Sequence, residues 1–190
     1  MRTTTELRNT ILAAARSEFA RHGLAGARID RIAKSAAASK ERLYAHFTDK
    51  EALFRGVVAA DMAEFFAAVT LRGDAIPEFV GDIYDLACRH PEHLRMMTWA
   101  NLEGLLLDPP PVEDGESVAA RDIGVIKAAQ ANGQVDAGWE PMDLLVLLFG
   151  IGLAWAQSPH PDALAADPAV VAARRAAAVE AARRIVVPAT

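Results

Sequence analysis

The stretch Ile29-Asp30-Arg31-Ile32-Ala33-Lys34-Ser35-Ala36-Ala37-Ala38-Ser39-Lys40-Glu41-Arg42-Leu43-Tyr44-Ala45-His46-Phe47 decides how this chain is read. Ile29, Ile32, Ala33 and Ala36 repeat the i, i+3, i+4, i+7 spacing of an amphipathic helix over two turns. Ala37-Ala38 reads as a tight turn. Ser39 can then cap a second short helix by accepting an orphan backbone N–H, with Leu43 and Phe47 on its apolar side. The spacing predicts a helix-turn-helix candidate whose second helix exposes Lys40, Glu41, Arg42, Tyr44, Ala45 and His46. A helix so presented can enter the DNA major groove with its first residues at base edges, while neighbouring helices hold phosphates. Lys40 and Arg42 are candidate donors to guanine edges, and Tyr44, His46 and Lys50 are candidate phosphate contacts.

Working outward, Ile11, Leu12, Ala15 and Phe19 form one helical stripe over residues 6–22, stopped by Gly23. Downstream, Thr48-Asp49-Lys50-Glu51 reads as a capping box with Thr48 at the N-cap, opening a long helix through Leu53, Val57, Met62, Phe65 and Phe66. Pro77, Pro91, Pro141 and Pro168 stand at or near further helix starts, where proline loses no needed N–H. Helices are expected over 76–89, 91–107, 116–132, 141–157 and 168–186. Asp108 to Gly115, with Pro109-Pro110-Pro111, reads as a loop, and so does the segment with Pro159 and Pro161.

Composition agrees with an all-α fold. Forty of the 190 residues are Ala, the best helix former, and only 6% are aromatic. With 52% hydrophobic and 24% charged residues, the chain can bury a sizeable core. The net charge of −5 speaks against a nucleic-acid partner until it is divided. Residues 1–55 carry eleven Lys and Arg against six acids, +5, and the remainder carries −10. Such asymmetry points to a basic binding module on an acidic body, expected here as domains 1–50 and 51–190. A lone cysteine, Cys88, makes no internal disulfide and suits a reducing compartment, so a cytoplasmic location is expected. No signal peptide is expected, and the longest apolar run, Leu144 to Ala156, is thirteen residues and too short to span a bilayer.

The string Thr10-Ile11-Leu12-Ala13-Ala14-Ala15, Phe19-Ala20, Gly23, Ile29-Asp30-Arg31-Ile32-Ala33-Lys34, Ser39-Lys40, Leu43-Tyr44-Ala45-His46-Phe47 and Lys50-Glu51-Ala52-Leu53 resembles the N-terminal domain of the TetR/AcrR family of transcriptional regulators. The resemblance covers about residues 5–55. It implies an all-helical homodimer that binds a palindromic operator, usually as a repressor, and releases it when a small molecule enters the C-terminal domain. Leu43 and Phe47 match positions that pack the recognition helix, Tyr44 the tyrosine near the DNA backbone, Lys40 and Arg42 positions of base or phosphate contact, and Lys50 a phosphate contact at the start of helix four. Three positions depart from the family pattern. Ala37 replaces the usual turn glycine, Ala27-Arg28 replaces a small hydroxyl, and Glu41 replaces a glycine. Arg28 supplies an ionic phosphate contact instead, and Glu41 either repels phosphate or accepts from a cytosine amino group.

The acidic half offers Phe65, Phe66, Tyr84, Cys88, Met97, Trp99, Asn101 and Trp155 as candidate lining for an effector pocket, apolar with a few polar groups. Residues 144–156 are apolar all round, which calls for burial on every side. A homodimer supplies the missing cover, and the resemblance implies the same, with the last two long helices pairing with their mates. No Gly-rich phosphate loop or ordered catalytic triad occurs, so no enzyme activity, cofactor or metal is expected. Two rival readings remain. One is a metal or redox sensor built on Cys88, His90 and His93, with Glu92 nearby, and the other a helical carrier or enzyme that does not bind DNA.

Overall fold

The computed structural model describes residues 3–105, 117–159 and 167–188. Among these the chain is helical: α1 Thr4–Gly26, α2 Ile29–Ser35, α3 Lys40–Tyr44, α4 Lys50–Ala68, α5 Ile76–Arg89, α6 Pro91–Leu102, α7 Val118–Ala131, α8 Pro141–Leu153 and α9 Pro168–Val186. The expected loop at Asp108 to Gly115 and the position of Pro161 lie outside the described residues. No helix among the described residues is long and apolar enough to cross a membrane.

Local chemistry sets the helix ends. Helix α1 begins earlier than its apolar stripe because Thr3 and Glu6 form a reciprocal capping box: Glu6 N–H donates to Thr3 Oγ1 at 3.2 Å and Thr3 N–H to Glu6 Oε2 at 2.7 Å. Its regular part breaks at Gly23, whose φ of 64° is costly for any residue with a Cβ. A Cβ there would also stand 2.8 Å from the Trp99 ring. At the start of α4 the expected cap is corrected. Asp49, not Thr48, accepts the orphan N–H, from Ala52 at 2.7 Å, while Thr48 Oγ1 donates to Asp49 Oδ2 at 3.3 Å. Asp49 is one residue nearer the first turn and its carboxylate is the stronger acceptor. Helix α6 stops at Leu102 rather than 107, where the chain turns through Gly104 and Leu105 N–H bonds back to Ala100 O at 2.9 Å. Asp167 and Pro168 open α9, as Glu140 and Pro141 open α8.

The packing divides into two compact units, Met1–Glu64 with Pro91–Asp108, and Phe65–His90 with Pro109–Thr190. The first therefore takes α6, a later segment, along with α1 to α3 and most of α4. Its core holds Ile11, Ala15, Phe19, Ile32, Leu43, Leu53, Phe54, Val57 and Met96, all fully buried. Phe19 and Phe54 meet edge to face with centroids 5.0 Å apart. Each such side chain contributes roughly 1.5–3 kcal/mol on removal from water. One charge is buried among them. Asp61 is 1% exposed and its Oδ1 accepts from Arg16 Nε at 2.6 Å. Burial, with the charges of Glu64 and Glu92 behind it, pushes the Asp61 carboxyl up to about 6 in spite of Arg16.

The second unit packs α5 against α8 and α9 around Phe79, Val80, Ile83, Leu144, Leu148 and Ala182. A Cβ on Gly152 would lie 2.6 Å from Ile83 Cγ2 and 3.2 Å from Val80 O, so α8 approaches α5 more closely there than a larger residue permits. Arg175 of α9 binds Asp85 of α5, Nε to Oδ2, at 2.7 Å. The described residues do not cover the apolar α8 all round: Met142, Val146 and Leu147 are exposed, Val146 at 61%.

Candidate nucleic-acid interface

The helix-turn-helix is held from below. Phe19, Ile32, Ala33, Ala36, Leu43 and Phe47 are each at most 6% exposed, and burying Leu43 and Phe47 turns the opposite side of α3 to solvent. The turn between α2 and α3 passes through Ala37 at φ 49°, a left-handed conformation adopted without the family's glycine. Ser39 caps α3 as its sequence predicts, accepting from Arg42 N–H at 3.3 Å. Guanidinium Arg8 lies 5.3 Å over the Phe47 ring and closes the core's edge.

On the outward side Lys40, Glu41, Arg42 and Tyr44 are exposed, Tyr44 at 46%, and Arg28 is exposed at the start of α2. His46 is half-buried, its ring 6.4 Å from that of Phe47. Arg28, Arg42 and the neighbouring Lys34 make no ion pair among the described residues, so their charge is available to phosphate or base. Lys40 is engaged: its Nζ pairs with Asp30 Oδ1 across the turn. That hydrogen bond holds the Asp30 carboxyl below its ordinary range and raises Lys40. Lys50 is also engaged, donating from Nζ to Ala25 O at 3.3 Å and Ala27 O at 3.4 Å, where it closes the α1–α2 corner. Its own backbone N–H and the Ser39 hydroxyl keep the Glu41 carboxyl low.

Two acids not singled out from the sequence organise this surface. Besides Asp30, Glu18 accepts from Arg28 backbone N–H at 2.9 Å and from Arg31 Nη2 at 2.5 Å. Burial pushes Glu18 up, but Arg31 and the Arg28 N–H outweigh it and leave the carboxyl low. The signal was present as opposite charges on facing helices. It had no meaning until the turn brought those helices together.

The eight candidate effector residues are drawn from both units. Phe65, Phe66, Tyr84, Cys88 and Trp155 belong to the second unit, and Met97, Trp99 and Asn101 to the first. Phe65 stacks with Phe66 and Phe149 at centroid distances of 5.4 and 6.0 Å, and Phe149 with Phe79 at 5.5 Å. Tyr84 is buried, and that burial, with the Cys88 thiol near it, raises its hydroxyl to about 12. Guanidinium Arg174 lies 3.8 Å from the Trp155 ring centroid. By contrast, Trp99 donates from Nε1 to Ala20 O at 3.4 Å, Met97 packs on the first core, and Asn101 is exposed. Those three serve the first unit's own packing or its surface. Of the suggested Cys88, His90 and His93 set, His93 Nε2 lies 3.5 Å from Glu64 Oε2 and 4.0 Å from Asp61 Oδ1 in the first unit, and Cys88 and His90 belong to the second.

Comparison with known proteins places both halves. Residues 11–57 match the family described as bacterial regulatory proteins, tetR family, and residues 75–184 the tetracyclin repressor-like C-terminal domain. The chain is 35% identical over 141 residues to the HTH-type transcriptional repressor SCO4008 of Streptomyces coelicolor, covering 74% of this chain and 73% of that one. It is 33% identical over 138 residues to the HTH-type transcriptional repressor NicS of Pseudomonas putida, covering 66% of this chain and 64% of that one. A crystal structure of a transcriptional regulator from Streptomyces coelicolor, SCO4942, superposes with a TM-score of 0.82 at 40% identity over 94% of this chain and 97% of that one. With a capped recognition helix on a packed three-helix core, and family matches across both halves, the chain belongs to the TetR family of bacterial regulatory proteins.

Proposed function

We propose that this regulator is a cytoplasmic repressor that binds a palindromic operator as a homodimer through residues 1–50, and pairs and senses a small molecule through residues 51–190. Members of the family are transcriptional regulators, not enzymes. The observation that carries the reading is the exposed set Arg28, Lys34, Arg42 and Tyr44 around a Ser39-capped α3 whose other side is locked into the core. Arg42 is the base reader, Arg28 and Lys34 hold phosphate, Tyr44 and His46 approach the backbone, and Glu41 discriminates against misplaced phosphate or accepts from cytosine. Lys40 reaches DNA by leaving Asp30, while Lys50 contributes its charge from the corner it closes. The exposed apolar face of α8, at Met142, Val146 and Leu147, is the surface a second copy covers. Phe65, Phe66, Tyr84, Cys88 and Trp155 are the part of the expected effector lining that this proposal keeps.

Fluorescence anisotropy with DNA from upstream of the protein's own gene tests the assignment of roles. Arg42→Ala should weaken specific binding roughly 10- to 100-fold and relax preference at one position of each half-site. Lys34→Ala should weaken all sequences by a similar factor and reduce the salt slope by about one. Identical behaviour of both variants and the parent would remove the proposal.

A further inference from the structure

Arg16, Asp61, Glu64, Glu92 and His93 gather where α1, α4 and α6 pack, and none of them is needed for reading DNA. Asp61 and Glu64 are one turn apart on α4, and His93 comes from the first turn of α6. One ligand atom from each of Asp61, Glu64 and His93 lies within 4.8 Å of the other two. Arg16 occupies one side of Asp61, its Nη2 at 2.5 Å from Oδ1. The other oxygen, Oδ2, is buried and has no hydrogen-bond partner. A buried carboxylate oxygen left in that state costs on the order of 1–3 kcal/mol, so its retention calls for a partner.

We propose that Asp61, Glu64 and His93 form a binding site for a first-row transition dication of the zinc class. Three features of the site fit that ion. First, an imidazole beside two carboxylates is a borderline donor set that favours zinc and its neighbours over Mg2+ or Ca2+, which take oxygen. Second, the charge balances: among the described residues Asp61, Glu64 and Glu92 face Arg16, and with a neutral ligating His93 these groups carry two negative charges that a dication cancels. Third, Arg16 orients the Asp61 carboxylate through Oδ1, the outer support a ligating carboxylate ordinarily has, and Oδ2 accepts no hydrogen bond. Ser17 Oγ, donating to Glu92 Oε2 at 3.1 Å, fixes the remaining acid in the same way. Bonds of about 2.0–2.2 Å require the donors to close in by roughly 1 Å. Glu64 supplies that adjustment by a rotamer change of its 57% exposed side chain, giving up its 3.3 Å contact with Arg16 Nη2. The bound ion ties α4 to α6 beneath α1, the helix on which α2 and α3 are built. This inference stands apart from the DNA-binding reading and is tested without DNA.

Full-length protein stripped with a chelator is titrated with Zn2+ in a calorimeter, and retained zinc is measured after gel filtration. One zinc per chain is expected, undisturbed by a hundredfold excess of Mg2+. Glu64→Gln and His93→Ala should each weaken binding tenfold or more, with circular dichroism showing intact helices. The exposed Glu64 keeps the test valid if the His93 variant fails to fold. Cys88→Ser should bind as the parent does. Stoichiometry well below one, unchanged affinity in Glu64→Gln, or loss of zinc on Cys88→Ser would each overturn the site.

Discussion

Ala37 holds φ 49° at the turn that sets α3 against α2. A non-glycine residue in that region loses roughly 1–2 kcal/mol, while glycine would return about 0.4–1 kcal/mol of unfolded-chain entropy. Ala37→Gly should therefore stabilise the protein by about 0.5 kcal/mol, a rise of roughly 1–2 °C in Tm by calorimetry. A fall in Tm would mean that the left-handed turn is not what the folded chain adopts. Asp30 matters at the same scale because its carboxylate pairs with the Lys40 ammonium on the outward side. Asp30→Asn releases that ammonium and removes an opposing charge, so affinity for random DNA should rise severalfold. The slope of log K against log salt should also steepen by about one contact. Unchanged affinity would show that Lys40 does not face DNA. The sequence marked Lys40 as a donor and left its partner unread, since Asp30 lies ten residues away and on another helix.

At the scale of elements, most of the fold was legible because the signals were local. Ser39, Pro91, Pro141 and Pro168 act at or next to the helix ends where they stand in the sequence. What failed to show were ends decided by competition, such as Asp49 over Thr48, and ends decided by a turn, such as Gly104 after α6. The candidate site divides along the same line. The spacing of Leu43 and Phe47 shows the side of α3 that is buried, whereas any effector lining depends on long-range packing, and its candidates fall in both units. Trp99 illustrates the cause: a large aromatic at helical spacing reads equally as pocket or packing, and in the fold it lies half-buried against Gly23 and the first core. The close approach of α8 to α5 gives a direct check. Gly152→Ala forces a methyl against Ile83 and Val80 O and should destabilise by about 1–3 kcal/mol, read by urea unfolding. A neutral result would mean that the two helices can separate without cost.

For the whole molecule, the net charge of −5 conceals a basic head and an acidic body, and the average would have excluded the partner that the head is built to meet. An exposed apolar face on α8 and a single recognition helix per chain are each incomplete alone. Pairing two chains on the proposed α8 interface completes both, because a two-fold axis then covers the apolar face and sets two recognition helices on one face of the duplex. Hydroxyl-radical footprinting of the full-length protein on DNA upstream of its own gene tests this most directly. The account predicts two symmetric protected half-sites, their centres about 10–10.5 base pairs or a multiple apart, roughly 34–36 Å or a multiple along the helix, with protection fading as salt is raised. A single unpaired footprint, or protection that salt leaves unchanged, would contradict it.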